Sequence, residues 1–301
     1  MIFMGSEKYP TENEFDQFIK KHGGFDNADT DSEETSFYFE VEEQHLDGAL
    51  DRFSQFFKAP LMLKEAMTRE REAVESEFSS KMNGEDVRRD QLLSSLVCPE
   101  HPGSIFGWGN LKTLKDNIED DALYQRVHGF WKRHYSSDRM YVVLQARFPL
   151  DDLQELAEKH FASVPNNGLP SDDFSAIPHE NVFQAKFHEK VYFVKPVGNI
   201  SKIDITWCLP SVLKAYKCKP HHYLGYVLGY EGKGSLLSYL RKKLWAIELV
   251  AGVDDSGLGS NTSFSLFTIS VYLTDSGFSH LNEVSQSIRS ISLNINPFDR
   301  F

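Results

Sequence analysis

Two glutamates on one helix are the residues whose spacing most invites chemistry. In the run LKEAMTREREAVESEF the apolar stripe of a helix is predicted through Leu63, Met67, position 70, Val74 and position 77, in alternating steps of four and three. Positions 70 and 77 are both Glu. Ala66, Ala73 and Phe78 flank that stripe. Glu70 and Glu77 are therefore expected on the apolar side, two turns apart, with Glu65, Glu72 and Glu75 left as solvated charges. A carboxylate on a buried stripe is costly unless it is paired or bound to a cation. Metal or acid–base chemistry is one way to satisfy it. An ion pair with Arg69, Arg71 or Arg88, or a stripe that is only half buried, is the bland way, and spacing alone leaves both open.

Other ligand patterns are sparse. Neither His-Glu-x-x-His nor its inverse, His-x-x-Glu-His, occurs anywhere in the 301 residues. His221-His222 lies near a predicted helix start and reads as a cap or surface pair. The run GYEGKGS, Gly229 to Ser235, fits neither a P-loop nor a dinucleotide fingerprint and reads as a tight loop opening a helix at Ser235. Cys98, Cys208 and Cys218 are odd in number and widely spaced, which is not a disulfide framework. They are expected to be free buried thiols in a reducing, cytoplasmic compartment, with export of the parent protein as an open alternative.

Composition narrows the classes. Apolar residues at 41 % and charged residues at 25 % are those of an ordinary folded chain. A net charge of −12 argues against a duplex nucleic-acid binder, and no apolar run is long enough to span a bilayer as a helix. The acidity is uneven. Between Gly23 and Asp51 stand ten Asp and Glu and no Lys or Arg, either a solvated face or a field that draws in basic peptides.

The elements that must position these groups follow from periodicity. Helices are predicted over Thr11–His22, with Thr11 as N-cap, His45–Phe57, Lys64–Lys81, Asp152–Phe161, His221–Tyr230, Ser235–Leu244 and Gly277–Ile288. Strands are predicted over Thr35–Val41, Met140–Ala146, Lys190–Val197, Ile203–Leu209 and Ser263–Leu273. Pro165–Pro178 reads as a linker. Helix, loop, strand and helix recur on both sides of it, with Lys20-Lys21 matched to Lys242-Lys243, which suggests a distant internal duplication. The expected fold is α+β: two related α/β-sandwich domains, residues 1–172 and 173–301, each with a mixed or antiparallel sheet covered by helices.

Several long runs together resemble the insulin-degrading-enzyme and pitrilysin family of inverted-motif zinc metallopeptidases. They are FMGSEKYPTENEFDQFIKKHGGFDNADTDSEETSFYFEV, REREAVESE, FGWGN, PNNGLP and LGYEGKGSLLSYLRKKLWA, and the likeness extends to about Ser290. In that family His-x-x-Glu-His gives two zinc ligands and the general base, and a distant Glu gives the third ligand. The resemblance implies that Glu77 in AVESE is that third ligand and that Glu70 orients it from behind. It implies that Asn27-Ala28 belong to an edge along which an extended peptide is held. It further implies that Gly229, Tyr230, Gly232 and Leu249-Val250-Ala251-Gly252 form an exosite for the substrate's N-terminal part, with Tyr230 where relatives often have His.

By the same resemblance Met1 corresponds to the residue just after the motif's second His. Residues 1–172 are then the remainder of a catalytic domain without its first strand and zinc-motif helix, and 173–301 a C-terminally truncated second domain. The implied activity is zinc-dependent endopeptidase cleavage within a closed chamber, at basic residues in one branch of the family. Its partners are basic peptides and the missing C-terminal half of the parent, with one Zn²⁺ two of whose ligands are absent. The chain alone is expected to be inactive; the alternative is a non-catalytic peptide- or protein-binding remnant.

Overall fold

The computed structural model describes residues 2–174, 177, 181–187, 190–254 and 257–294. Met1, Pro178 and part of the predicted linker lie outside the described residues. The chain divides into two compact units that are not continuous in sequence. One comprises residues 1–30, 34–81 and 108–173, the other 31–33, 82–107 and 174–301.

In the first unit α1 (Glu14–Lys21) leads into an antiparallel pair, β1 (Phe25–Thr30) and β2 (Thr35–Glu40), with Asn27 opposite Tyr38 and Ala28 opposite Phe37. The predicted Thr11 cap is replaced by Asn13, in left-handed backbone at φ 62°. Helices α2 (Leu46–Lys58), α3 (Lys64–Lys81), α5 (Asp120–His134) and α6 (Leu150–Phe161) complete the unit, and α4 (Glu85–Leu96) groups with the other. The alternation in TSFYFEV turns Phe37 and Phe39 inward onto Phe15, Ile19, Phe53 and Phe56. Phe15 meets Phe39 and Phe56 edge-on at 5.6 and 5.3 Å. Each such pair adds about 0.5–1.5 kcal/mol beyond the area it removes from water.

In the second unit a three-stranded antiparallel sheet has the order β3–β5–β4, formed by β3 (Lys202–Pro210), β4 (Ala246–Val253) and β5 (Phe264–Leu273). Helices α7 (Pro220–Leu228), α8 (Leu236–Lys242), α9 (Asp275–Ser279) and α10 (Leu281–Asn294) accompany it. Strand period two sorts β5 cleanly. Phe267, Ile269, Val271 and Leu273 enter a core with Leu237, Leu240, Val284 and Ile288. Thr268 and Ser270 face the other way, and Thr268 shares a 3.0 Å hydroxyl contact with Thr206. Ser235 caps α8, its Oγ accepting from Ser238 N at 3.0 Å.

Besides the Thr11 cap, five expectations are corrected. Met140–Ala146 and Lys190–Val197 are not strands: no described strand pairs with either, and Tyr141 and Val143 are 97 % and 88 % exposed. Alternation prepares a segment for a sheet, but a ladder needs a neighbour. The thiols are free but not buried, since Cys98 is half-buried and Cys208 and Cys218 are exposed; local desolvation nonetheless pushes the Cys208 thiol up to about 11. The duplicated element order is helix, antiparallel strand pair, helix in both units. Its register is shifted by one, however, because Gly24 N bonds Ile19 O as Trp245 N bonds Leu240 O. Lys20-Lys21 therefore match Arg241-Lys242.

The fifth correction concerns α3. Its inward face runs Met67, Arg71, Val74, Phe78 rather than through Glu70 and Glu77; Arg71 is buried, Glu70 half-buried and Glu77 exposed. The segment after Gly107 determines this rotation. Trp108 packs on Phe78 with ring centroids 6.4 Å apart, Leu111 N donates to Glu75 at 2.7 Å, and Leu114 O accepts from Arg71 at 3.2 Å.

Candidate functional site

Arg71 is the charged group that α3 buries. Its Nη1 lies 2.6 Å from Asp120 Oδ1, and that pairing holds the Asp120 carboxyl below the usual carboxylate range. With the inward face occupied, Glu70, Ala73 and Glu77 line the outer side of the helix, where Ala73 and Glu77 are exposed. The two glutamates share that side, two turns apart, as their spacing of seven requires. The described residues contain no group of three His, Cys, Asp or Glu able to hold a metal ion. Glu77 fits a metal site as a single oxygen donor on an open helix face. The other donors would have to come from outside these residues.

Asn27 and Ala28 lie on a strand, not in a plain turn after α1. Among the described residues β1 has one ladder neighbour, β2, so its other edge carries unpaired backbone groups. Both residues are exposed, and Asn27 Nδ2 donates to Tyr38 Oη at 3.4 Å. Such an edge can accept an extended peptide through main-chain hydrogen bonds.

The residues from Gly229 to Gly252 meet around β4, an edge strand of the second unit's sheet. Leu249 is buried in the core, whereas Val250 is exposed. Helix α7 seats directly on this strand: a Cβ at Gly225 would come within 2.8 Å of Ala251 O, and one at Gly229 within 3.9 Å of Ala251 N. Tyr230 folds over Gly232, where any side chain would overlap its ring and hydroxyl. Val250, Ala251 and Gly252 also line a cavity of about 260 Å³ together with Arg89, Asp90 and Leu93. Burial pushes the Asp90 carboxyl up despite the adjacent Arg89. Sequence alone offers Arg71 only as one of several ion-pair partners for the α3 glutamates and Asp26 only as part of the acidic run, and it assigns no role to Asp90.

Comparison with known proteins adds a family context. The profile described as "Insulinase (Peptidase family M16)" matches residues 1–101, and that described as "Peptidase M16 inactive domain" matches residues 122–294. Nardilysin of Homo sapiens is 44 % identical over 293 residues, covering 96 % of this chain and 25 % of that protein. Insulin-degrading enzyme of Homo sapiens is 40 % identical over 286 residues, covering 94 % of this chain and 27 % of the enzyme. The crystal structure of pitrilysin superimposes with a TM-score of 0.80 at 27 % identity, over 96 % of this chain and 30 % of that one. The chain thus spans about a quarter of the length of the curated relatives it matches.

Proposed function

Because the chain belongs to peptidase family M16, we propose that it is part of a zinc-dependent metalloendopeptidase of the nardilysin type, cleaving peptides at basic residues inside a closed chamber. The observation that carries this is Glu77, in REREAVESE, standing on the open side of α3 with no part in the core. In this reading Glu77 is one zinc ligand and Glu70 orients it; a bound zinc would polarise the scissile carbonyl and acidify its water. The peptide lies as an added strand along β1 at Asn27-Ala28. Its N-terminal part rests on the surface formed by Gly229, Tyr230, Gly232 and Val250–Gly252, with Leu249 buried beneath it in the core. The acidic run of residues 26–51 supports a basic peptide as the partner. A reducing, cytoplasmic setting goes with the three free cysteines.

This sequence has no His-x-x-Glu-His and so no base to take the water's proton. The 301-residue chain alone is therefore expected to be inactive. A zinc titration combined with a fluorogenic-peptide assay on this polypeptide tests that, and chelator-sensitive cleavage would refute it. A second reading, a non-catalytic peptide-binding piece, is favoured by the match of residues 122–294 to the inactive-domain profile. The two separate on adding back the rest of the protein: restored, zinc-dependent cleavage that Glu77→Ala abolishes supports the peptidase.

A further inference from the structure

The open edge of β1 carries a carboxylate with unmet electrostatic demand. Strand alternation puts Phe25, Asn27 and Asp29 on the outer face of the hairpin and Asp26 and Ala28 on the inner one, opposite Phe39 and Phe37. On that inner side Asp26 Oδ1 is shielded from solvent and accepts no hydrogen bond. Its polar neighbours come from α1: the Asp16 carboxyl, with which the Asp26 carboxyl also shares a side-chain hydrogen bond, and the Lys20 ammonium. Lys20 is committed to Asp16 at 2.8 Å, so one cation serves two carboxylates. Burial first, and the Asp16 charge second, hold the Asp26 carboxyl above the usual range. A desolvated carboxylate oxygen without a donor costs free energy that an arriving cation would recover.

We infer that Asp26 is the specificity-determining residue of the β1 edge, receiving the ammonium or guanidinium of a Lys or Arg on a peptide paired along that strand. The inference rests on the strand-addition reading above. A residue paired directly beside Asp26 would place its Cβ about 4.5–5.5 Å from that of Asp26 and on the same face. A Lys or Arg stem spans that gap with its charge at the carboxylate. The outer face lacks this arrangement, because Asp29 is exposed and its charge is met by water.

The test is fluorescence anisotropy of the 301-residue chain with a labelled, extended, lysine-containing peptide. Two further forms of that peptide have the lysine replaced by norleucine, or alternate backbone nitrogens methylated. The lysine form should bind about tenfold more tightly than the norleucine form, as expected for one charge-assisted contact. Asp26→Asn should reduce that preference below about twofold, and Glu40→Gln, on the outer face, should leave it. With the unmodified chain, the preference should fade on acidification at a pH above that at which ordinary carboxylates titrate. Persistence of the full preference in Asp26→Asn, or down to about pH 3 in the unmodified chain, overturns the role of Asp26. If methylation still abolishes binding in that case, strand addition stands. Methylation without effect overturns strand addition, and the inference with it.

Discussion

Gly23 and Leu244 close the same helix-terminal turn in the two units. Gly23 N bonds Lys20 O and Gly24 N bonds Ile19 O; Leu244 N bonds Arg241 O and Trp245 N bonds Leu240 O. This is one motif, a 6→1 and a 5→2 hydrogen bond around a left-handed residue. The backbone angle φ is 72° at Gly23 and 60° at Leu244. Glycine adopts that conformation freely, whereas an L side chain pays about 1–2 kcal/mol there.

Leu244→Gly is therefore expected to stabilise the chain. The side chain is 73 % exposed, so little packing is lost. Greater freedom of the unfolded glycine offsets part of the relief, leaving a gain of about 0.5–1 kcal/mol. Urea unfolding checks it: a higher midpoint at unchanged slope is expected, and a lower midpoint would show that Leu244 contributes a contact outweighing its strain.

Arg71 should be the costliest charged side chain to remove from α3. It loses a 2.6 Å contact to Asp120, a 3.2 Å bond to Leu114 O and the burial of its stem. Asp120 is half exposed and can rehydrate, which brings the expected cost of Arg71→Ala below that of a fully buried pair, to about 2–3 kcal/mol. Arg71→Met, which keeps the stem, should recover at least half of it. A midpoint for Arg71→Ala within about 0.5 kcal/mol of the unmodified chain would show that α3 is not anchored here.

The same arginine marks where sequence reading stops. Amphipathic helices such as Leu46–Lys58 and the alternating strand Thr35–Glu40 were legible because one face of each is apolar throughout. Helix α3 was legible as a helix but not in its rotation. The expected and observed stripes share Met67 and Val74 and differ by one residue at 70 or 71 and at 77 or 78. A buried Arg tips that choice, paired to an Asp 49 positions away, and periodicity does not register such a partner. Strand β1 reads FDNADT, too polar to declare itself, and exists because β2 pairs with it. The ligand role expected of Glu77 rests on motif resemblance alone, because the burial argument for it does not survive the structure: the side chain is exposed.

Acid should loosen the first unit through Asp47 and Asp51. Hydrogen bonds from Lys159 and then His160 hold the Asp47 carboxyl below the ordinary range. At Asp51 burial works the other way, and bonds from Lys8 at 2.7 Å and Tyr9 at 2.5 Å outweigh it. A depressed carboxyl contributes stability that is complete above its unfolded value, about 3.9, and disappears as pH falls through the folded one. The urea midpoint should fall below about pH 4, and Asp51→Asn should make that fall shallower while lowering the midpoint at pH 7. Asp26 has the opposite sign: its raised carboxyl disfavours the fold once ionised. Asp26→Asn should accordingly leave neutral-pH stability unchanged or raise it. A parallel acid limb in Asp51→Asn would show that its ion pairs carry no pH dependence.

Glu77 separates a functional carboxylate from a structural one. A residue that holds α3 in place would cost stability when truncated, but Glu77 is exposed and lies off the helix's inward face. Substituting alanine at an exposed helix position normally changes stability by less than about 0.5 kcal/mol, and alanine's helix propensity favours the variant slightly. Glu77→Ala in the 301-residue chain should therefore unfold within that margin of the parent. The same substitution in the full-length protein should abolish zinc-dependent cleavage and lower zinc content, whereas Glu75→Ala should mainly cost stability by freeing the Leu111 amide it accepts from at 2.7 Å. If Glu77→Ala is strongly destabilising, or leaves full-length cleavage and zinc content intact, the carboxylate belongs to the scaffold and the proposed ligand role fails.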